Sequence, residues 1–378
     1  MDLKQRLKEK ALELGFAGAG FTGVEPLELY IREIDSRPPE MYGWTFTQTF
    51  DLRRGASVSK EYPWARSLLV LIRNYHKCRF PQSLTGVIGR YYQVDERMGK
   101  KGEYERMRAY LAFLKKQGIR AWFDFAIPAR MAAARAGLVT YGKNCFAYSR
   151  AAMRGASWVE IIPLVLDAPV EPDEPSVEYG CPSWCKNACL AACPTRALYA
   201  PGKMDPRRCI AYLSFYGEGI TPLEFREPMG TWIYGCDRCQ QVCPRNEAYA
   251  VHELPVNEQL EKRAGDFRPD KLLAMTDEHY INKVWPLCFY ISRKNKAKWQ
   301  MNAARALGNL KDPQFVPALA ESLSANPSEL VRGMCAWSLG RIGGFQARQA
   351  LEAALKKETG LVMQEIELAL GRDQKGNG

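Results

Sequence analysis

Apolar residues recur at helical spacing from the first turn of the chain. Leu3, Leu7, Ala11 and Leu14 share one face among charged neighbours, which predicts an amphipathic helix over residues 2–14 ended by Gly15-Phe16. Gly18-Ala19-Gly20-Phe21-Thr22-Gly23 matches a G-x-G-x-x-G pattern, but it follows a helix and Pro26 sits where a phosphate-binding helix should run. It reads as a glycine-rich strand and loop. Arg66–Ile72 is continuously apolar after its first two residues and predicts a buried strand. In Glu103–Gly118, Met107, Tyr110, Leu111 and Leu114 make the core stripe of a second helix. Ala121–Phe125 and Trp158–Leu166 read as further strands, and Ala129–Ala136 as a short helix stopped by Gly137. This alternation predicts a mixed α/β domain over 1–170. Asp167–Glu178, rich in Pro, Asp and Glu, reads as a linker.

The end of the chain repeats. Ala306-Leu307-Gly308-Asn309 returns 32 residues later as Ser338-Leu339-Gly340-Arg341, and Ala318-Leu319 returns as Ala350-Leu351. Residues 362–370 begin a third, shorter helix. Helix pairs of this period cannot bury their apolar faces alone and must stack, as HEAT-like repeats do. The expected fold class is α+β multidomain, with a two-cluster ferredoxin-like module over 175–255 and C-terminal α-helical HEAT-like repeats within 256–378.

Composition narrows the function. Hydrophobic residues make up 47% and charged residues 25% of 378, ordinary for a soluble protein with room for two or three domains. No run of 18 apolar residues occurs, and Met1-Asp2-Leu3-Lys4 begins a charged helix rather than an export signal. A reducing cytoplasm is the expected setting for its 12 cysteines. The net charge of +11 favours a polyanionic partner such as nucleic acid. Arg293, Lys294, Lys296 and Lys298, beside Trp299, are the candidate nucleic-acid contacts, with Arg332, Arg341 and Arg348 extending them along the repeats. The three histidines, His76, His252 and His279, are too scattered for a histidine metal site.

The cysteines carry the chemistry. Cys181, Cys185, Cys189 and Cys193-Pro194 form one run; Cys209, Cys236, Cys239 and Cys243-Pro244 form another. Two runs each closed by Cys-Pro mark a two-cluster ferredoxin module, in which the last cysteine of each run ligates the other run's cluster. Two structural zinc sites are the alternative, but zinc favours separated Cys-x-x-Cys pairs, and only Cys236 and Cys239 make one. Cys78, Cys145, Cys288 and Cys335 lie outside the runs and read as buried apolar residues.

A mixed domain, a two-cluster module and a HEAT-like tail, in that order, resemble the epoxyqueuosine reductases, cobalamin and iron–sulfur enzymes of queuosine biosynthesis in tRNA. The resemblance rests on Ala136-Gly137-Leu138 with Gly142-Lys143-Asn144, on Ala192-Cys193-Pro194-Thr195 and Arg208-Cys209-Ile210, on Gly235 through Cys239-Gln240 with Val242-Cys243-Pro244, and on Asn302-Ala303 with Ala306–Asn309. It implies two 4Fe-4S clusters held by the eight cysteines and a cobalamin held by the first domain, similar to the core of reductive dehalogenases. The chain lacks the Asp-x-His-x-x-Gly motif of methyltransferase-type corrinoid proteins, so the implied cobalamin has no protein histidine on cobalt. Gly142, Lys143 and Asn144 look like the family's loop over the corrinoid, and Ser214 is placed near its lower face.

Two departures accompany the resemblance. Every gap in the first cysteine run is three residues, where the family has two two-residue gaps; Lys186 and Ser183 occupy the family's positions. The family's proton-donating aspartate stands three residues before a proline. Here Asp124 in Phe123-Asp124-Phe125-Ala126-Ile127-Pro128 stands four before. Asp124 is still the expected general acid, with bulky apolar neighbours expected to bury it and raise its pKa. Tyr91, Tyr92 and Asp95 could line a pocket, though paired tyrosines are more often packing residues.

The expected activity is reduction of epoxyqueuosine to queuosine in tRNA by a monomer fed by an external low-potential donor such as flavodoxin or ferredoxin. The alternatives are a paralogous corrinoid reductase acting on a small, for instance halogenated, molecule, and a reductive activator or electron carrier for another corrinoid protein.

Overall fold

A computed structural model describes residues 2–45, 51–94, 103–150, 155–176, 178, 180–250 and 253–373. Asp95 and His252 lie outside the described residues. The chain divides into two compact units: Met1–Lys77 with Gly99–Pro206 and Arg238–Leu254, and Cys78–Met98 with Arg207–Asp237 and Pro255–Gly378. This division runs through the module expected over 175–255, because the second cysteine run is split: Cys209 and Cys236 fall in the second unit, and Cys239 and Cys243 in the first with the whole first run.

The first unit is built on a four-stranded antiparallel sheet, in the order β1-β2-β6-β3. Its strands are β1 (Gly18–Thr22), β2 (Ser67–Asn74), β3 (Ala121–Phe123) and β6 (Val159–Leu166); β4 (Val139–Tyr141) and β5 (Ala147–Ser149) form a separate hairpin. Helices α1 (Leu3–Glu13) and α2 (Glu103–Lys116) bury Leu7, Ala11, Tyr110 and Leu114 with Leu69 and Leu71 of β2. Helix α3 (Ala129–Arg135) buries Ala132, Ala133 and Ala134 with Leu68, Val70 and Ile72 of β2. Alternate residues of β2 therefore enter two different cores, which is why its sequence is continuously apolar instead of alternating. Asp2 caps α1 by accepting from the Gln5 N–H at 2.7 Å.

The segment read as a linker is a strap. Asp173 accepts from Lys8 Nζ at 2.7 Å and from the Phe21 N–H at 2.8 Å, while the Ser176 N–H donates to the Ala134 carbonyl at 2.7 Å. Its acidic and proline residues serve fixed contacts to α1, β1 and α3, so composition misled about its freedom.

The second unit is largely helical: α4 (Ile210–Phe215), α5 (Lys296–Leu310), α6 (Val316–Ala325), α7 (Glu329–Ile342), α8 (Phe345–Leu355) and α9 (Gly360–Asp373) carry it. The repeat at Gly308 and Gly340 has a steric cause. A Cβ at Gly308 would come within 2.6 Å of Ser338 Oγ on α7, and one at Gly340 within 2.6 Å of Ala369 Cβ on α9. Each glycine admits the next helix of the stack. The last helix is not cut short; at 14 residues it equals α7 and buries Val362, Ile366 and Ala369. Arg226 and Glu365, 3% and 8% exposed, form a bidentate pair at 2.6 and 2.7 Å that ties α9 to the short helix Leu223–Arg226.

Candidate cluster site and proton-donor loop

Six of the eight module cysteines, Cys181, Cys185, Cys189, Cys193, Cys239 and Cys243, belong to the first unit; Cys209 and Cys236 belong to the second. No disulfide joins any of the twelve cysteines. Burial pushes the Cys189 thiol up to about 11, and Cys185, Cys243 and Cys181 add to that by their charge. Four sulfurs thus share one neighbourhood: the first three of the first run and the last of the second. A buried thiol this weakly acidic becomes a thiolate only when a metal's positive charge is present. Among the described residues no three such donors converge on a single ion.

Backbone and side-chain donors already point at these sulfurs. The Lys143 N–H donates to Cys181 Sγ at 3.4 Å, and the Ala197 N–H to Cys193 Sγ at 3.2 Å. Tyr148, 1% exposed, donates its hydroxyl to Cys243 Sγ at 3.1 Å. Helix Pro244–Ala250, which follows Cys243, is pinned by Asn246: its Oδ1 accepts from the Ser157 N–H at 2.8 Å and its Nδ2 donates to the Gln240 carbonyl at 2.9 Å. The donor set fits iron–sulfur clusters: soft thiols with N–H and O–H groups aimed at sulfur.

The residues expected to line a corrin have other employment. Asn144 Nδ2 donates to Tyr148 Oη at 2.9 Å and to the Cys239 carbonyl at 3.1 Å, and Lys143 Nζ donates to the Cys185 carbonyl at 3.3 Å. The Gly142–Asn144 loop therefore grips cysteine segments. A Cβ on Gly142 would stand 2.2 Å from Tyr148 Cε2, so glycine is required there for the tyrosine, not for a ligand. Ser214 is wholly buried inside the second unit; its hydroxyl donates to the Ala211 carbonyl at 2.9 Å and accepts from the Gly235 N–H at 3.2 Å. In this structure the polar groups of Lys143, Asn144 and Ser214 are engaged with the protein itself.

Asp124 lies immediately beyond edge strand β3. The sequence reading expected burial to raise its pKa. Its neighbour Phe125 is instead 74% exposed, and the carboxylate is clasped by polar donors. Tyr62 donates its hydroxyl to Oδ2; Arg54 Nη2 and the Ala126 N–H donate to Oδ1 at 3.0 and 2.8 Å. Desolvation pulls the pKa up, but the bonds from Tyr62, Ala126 and Arg54 outweigh it and hold the carboxyl below its usual value. In this conformation Asp124 is a carboxylate at neutral pH.

The basic segment is also sorted by the structure. Lys298 is 7% exposed, donates to the Gly217 carbonyl at 2.5 Å, and is driven down to about 8 by burial and then by Arg305. Trp299 is fully buried and stacks on Tyr234 at 4.8 Å. Neither is open to nucleic acid, because helical periodicity turns both into the core as α5 begins. Lys296 pairs with Asp277 at 2.7 Å. Arg293 and Lys294 are exposed, Arg293 lying over the Trp285 ring at 5.6 Å. Tyr92 packs against Phe215, Tyr234 and Tyr290, the packing role. Cys288 and Cys335 are buried as expected, whereas Cys78 and Cys145 are only half-buried.

Sequence reasoning missed Tyr62, Arg54, Tyr148 and Arg245. Tyr148 carried one weak signal, its place four residues after Asn144 in the same hairpin; the other three carried none.

Comparison with known proteins fits this arrangement. Residues 181–246 match the 4Fe-4S double cluster binding domain, and 287–371 match HEAT repeats. The double-cluster match decides against the zinc alternative. The epoxyqueuosine reductase of Bacillus subtilis is 36% identical over 231 residues, 61% of this chain and 57% of that protein; the one from Bacillus anthracis is 34% identical, with 58% of its length matched. The matched stretch thus spans under two thirds of those two relatives. The Bacillus cereus enzyme is 28% identical over 94% of this chain and 93% of its own. Among solved structures, an epoxyqueuosine reductase carrying an epoxyqueuosine-modified tRNA stem loop superposes with a TM-score of 0.81 at 28% identity, covering 98% of this chain and 99% of the other. A Bacillus subtilis epoxyqueuosine reductase whose catalytic aspartate loop is swung out of the active site superposes with a TM-score of 0.80 at 29% identity, covering 98% of each chain. In its double-cluster segment, its repeats and its whole-chain superposition, the chain is similar to the epoxyqueuosine reductases over nearly its full length.

Proposed function

We propose that the protein reduces epoxyqueuosine to queuosine in tRNA. The observation that carries this reading is the superposition over nearly the whole chain on a relative holding an epoxyqueuosine-modified tRNA stem loop. The net reaction takes two electrons and two protons, removes the epoxide oxygen as water and leaves an alkene. The two 4Fe-4S clusters deliver electrons singly from an external low-potential donor such as flavodoxin or ferredoxin. A tRNA substrate places the protein in the cytoplasm, and we take it to act as a monomer. Family resemblance names cobalamin as a further cofactor, one that supplies a strongly nucleophilic, reducible metal centre when bound. None of the assignments below depends on it.

The chain's own contribution is proton supply and substrate grip. Asp124 is the proposed acid. Withdrawal of its loop from Arg54 and Tyr62 removes the cation and the hydroxyl donor that hold the carboxyl ionised, so its pKa rises from the depressed value toward the ordinary one. The swung-out loop of the Bacillus subtilis relative supports two positions for such a segment.

Arg293 and Lys294 are the proposed phosphate contacts. Replacing both by alanine should lower affinity for an epoxyqueuosine-modified stem loop. It should also reduce the slope of log affinity against log salt by about 1.5, from ~0.7–0.9 per phosphate contact. Fluorescence anisotropy across a salt series measures this; an unchanged slope removes the segment from the interface.

The decisive assay uses anaerobically prepared protein supplied with cobalamin, a chemical reductant and epoxyqueuosine-containing tRNA, followed by nucleoside mass spectrometry. Appearance of queuosine is expected. No conversion, together with no tRNA binding at low salt, would leave the second reading, a small-molecule reductase. The extra residue between Asp124 and Pro128 favours that reading, since it lengthens the acid loop.

A further inference from the structure

We propose that Tyr148 sets the reduction potential of the cluster held by Cys181, Cys185, Cys189 and Cys243, through the hydrogen bond from its buried hydroxyl to Cys243 Sγ. A tyrosine hydroxyl has one proton to donate and lone pairs to accept with. Here Asn144 Nδ2 occupies the accepting side at 2.9 Å, which turns the proton toward sulfur at 3.1 Å. Water cannot compete, since Tyr148 is 1% and Asn144 3% exposed. The ring is held in place. Arg245 lies over it at 4.4 Å and is itself fixed by bonds to the Gly180 carbonyl at 2.9 Å and Thr140 Oγ1 at 3.2 Å. The bare backbone of Gly142 makes room for the ring edge. Packing alone would be met by phenylalanine; the hydroxyl adds a donor to a ligating sulfur.

When one electron from an external reductant takes a 4Fe-4S cluster from the 2+ to the 1+ state, the added negative charge spreads over its sulfurs and thiolates. A donor aimed at one of them stabilises the reduced state more than the oxidised state, and hydrogen bonds to sulfur are among the determinants of cluster potential. Tyr148 is therefore a positioning residue: it touches the ligand, not the substrate. The inference rests on the cluster assignment and is independent of which substrate is reduced.

The test is a dithionite titration of the anaerobically reconstituted full chain, followed by electron paramagnetic resonance, with no turnover required. In Tyr148→Phe the midpoint of one cluster should fall, by about 59 mV if the reduction equilibrium constant drops tenfold. The other cluster should keep its midpoint. A second variant with 3-fluorotyrosine at position 148 keeps the ring and makes the hydroxyl a stronger donor, so the same midpoint should rise. Should the phenylalanine variant fail to hold its cluster, the fluorotyrosine protein decides alone. An unmoved midpoint in the fluorotyrosine protein, or equal shifts of both clusters, would overturn the proposal.

Discussion

Asp124→Asn is expected to retain both clusters and lose turnover by about 10²–10⁴-fold, the span of a missing general acid. The amide oxygen can take the Oδ1 place and accept from Arg54 and the Ala126 N–H, while its NH2 takes the Oδ2 place and donates to the Tyr62 hydroxyl, so the loop should still close, and iron content and visible spectrum should match the parent protein. Arg54→Met tests the same group from the other side. Asp124 must be protonated to act, so activity falls as pH rises through its pKa. Removing the Arg54 charge raises that pKa, and the alkaline limb of the rate profile should move to higher pH. The clasp also makes a stability statement. The folded pKa of Asp124 is depressed, so its contribution is complete above the ordinary carboxylate value near ~4 and is lost as pH falls through the still lower folded value. Normal turnover in Asp124→Asn would sink the assignment.

Arg226→Ala should destabilise the second unit by about 3–5 kcal/mol, because it strands the Glu365 carboxylate in the core. For a unit of this size that corresponds to a fall of roughly 10 °C in its calorimetric midpoint. The arginine also donates Nε to the Thr221 carbonyl at 2.7 Å, so one substitution orphans two acceptors. The double variant Arg226→Met with Glu365→Leu removes both charges and should recover much of the loss. A single variant as stable as the parent would show that the buried pair carries no net weight.

Much of the fold was legible because burial writes itself into local pattern. The helix over Leu3–Glu13 and the strand over Ser67–Asn74 follow from apolar spacing that one strip of core demands. Gly308 and Gly340 announced the repeat because close helix contact leaves a glycine every unit. Where sequence reasoning failed, the reason was a partner distant in the chain. Lys298 and Trp299 looked like a nucleic-acid surface until the folded second unit placed Gly217 and Tyr234 against them. Asp124 looked desolvated until Arg54 and Tyr62, 70 and 62 residues earlier, proved to hold it.

By itself the sequence determined the cluster chemistry, the mixed domain and the stacked tail. These depend on residue type at short spacing, and thiolates separated by a few residues declare a metal wherever the chain goes. Only the tertiary structure decided the state of each functional group. It made Asp124 a carboxylate, buried Ser214 and Lys298, and turned a hydroxyl from Tyr148 onto a cysteine 95 residues away. Charge, pKa and hydrogen-bond direction depend on which groups face one another across the fold, and no local pattern encodes that.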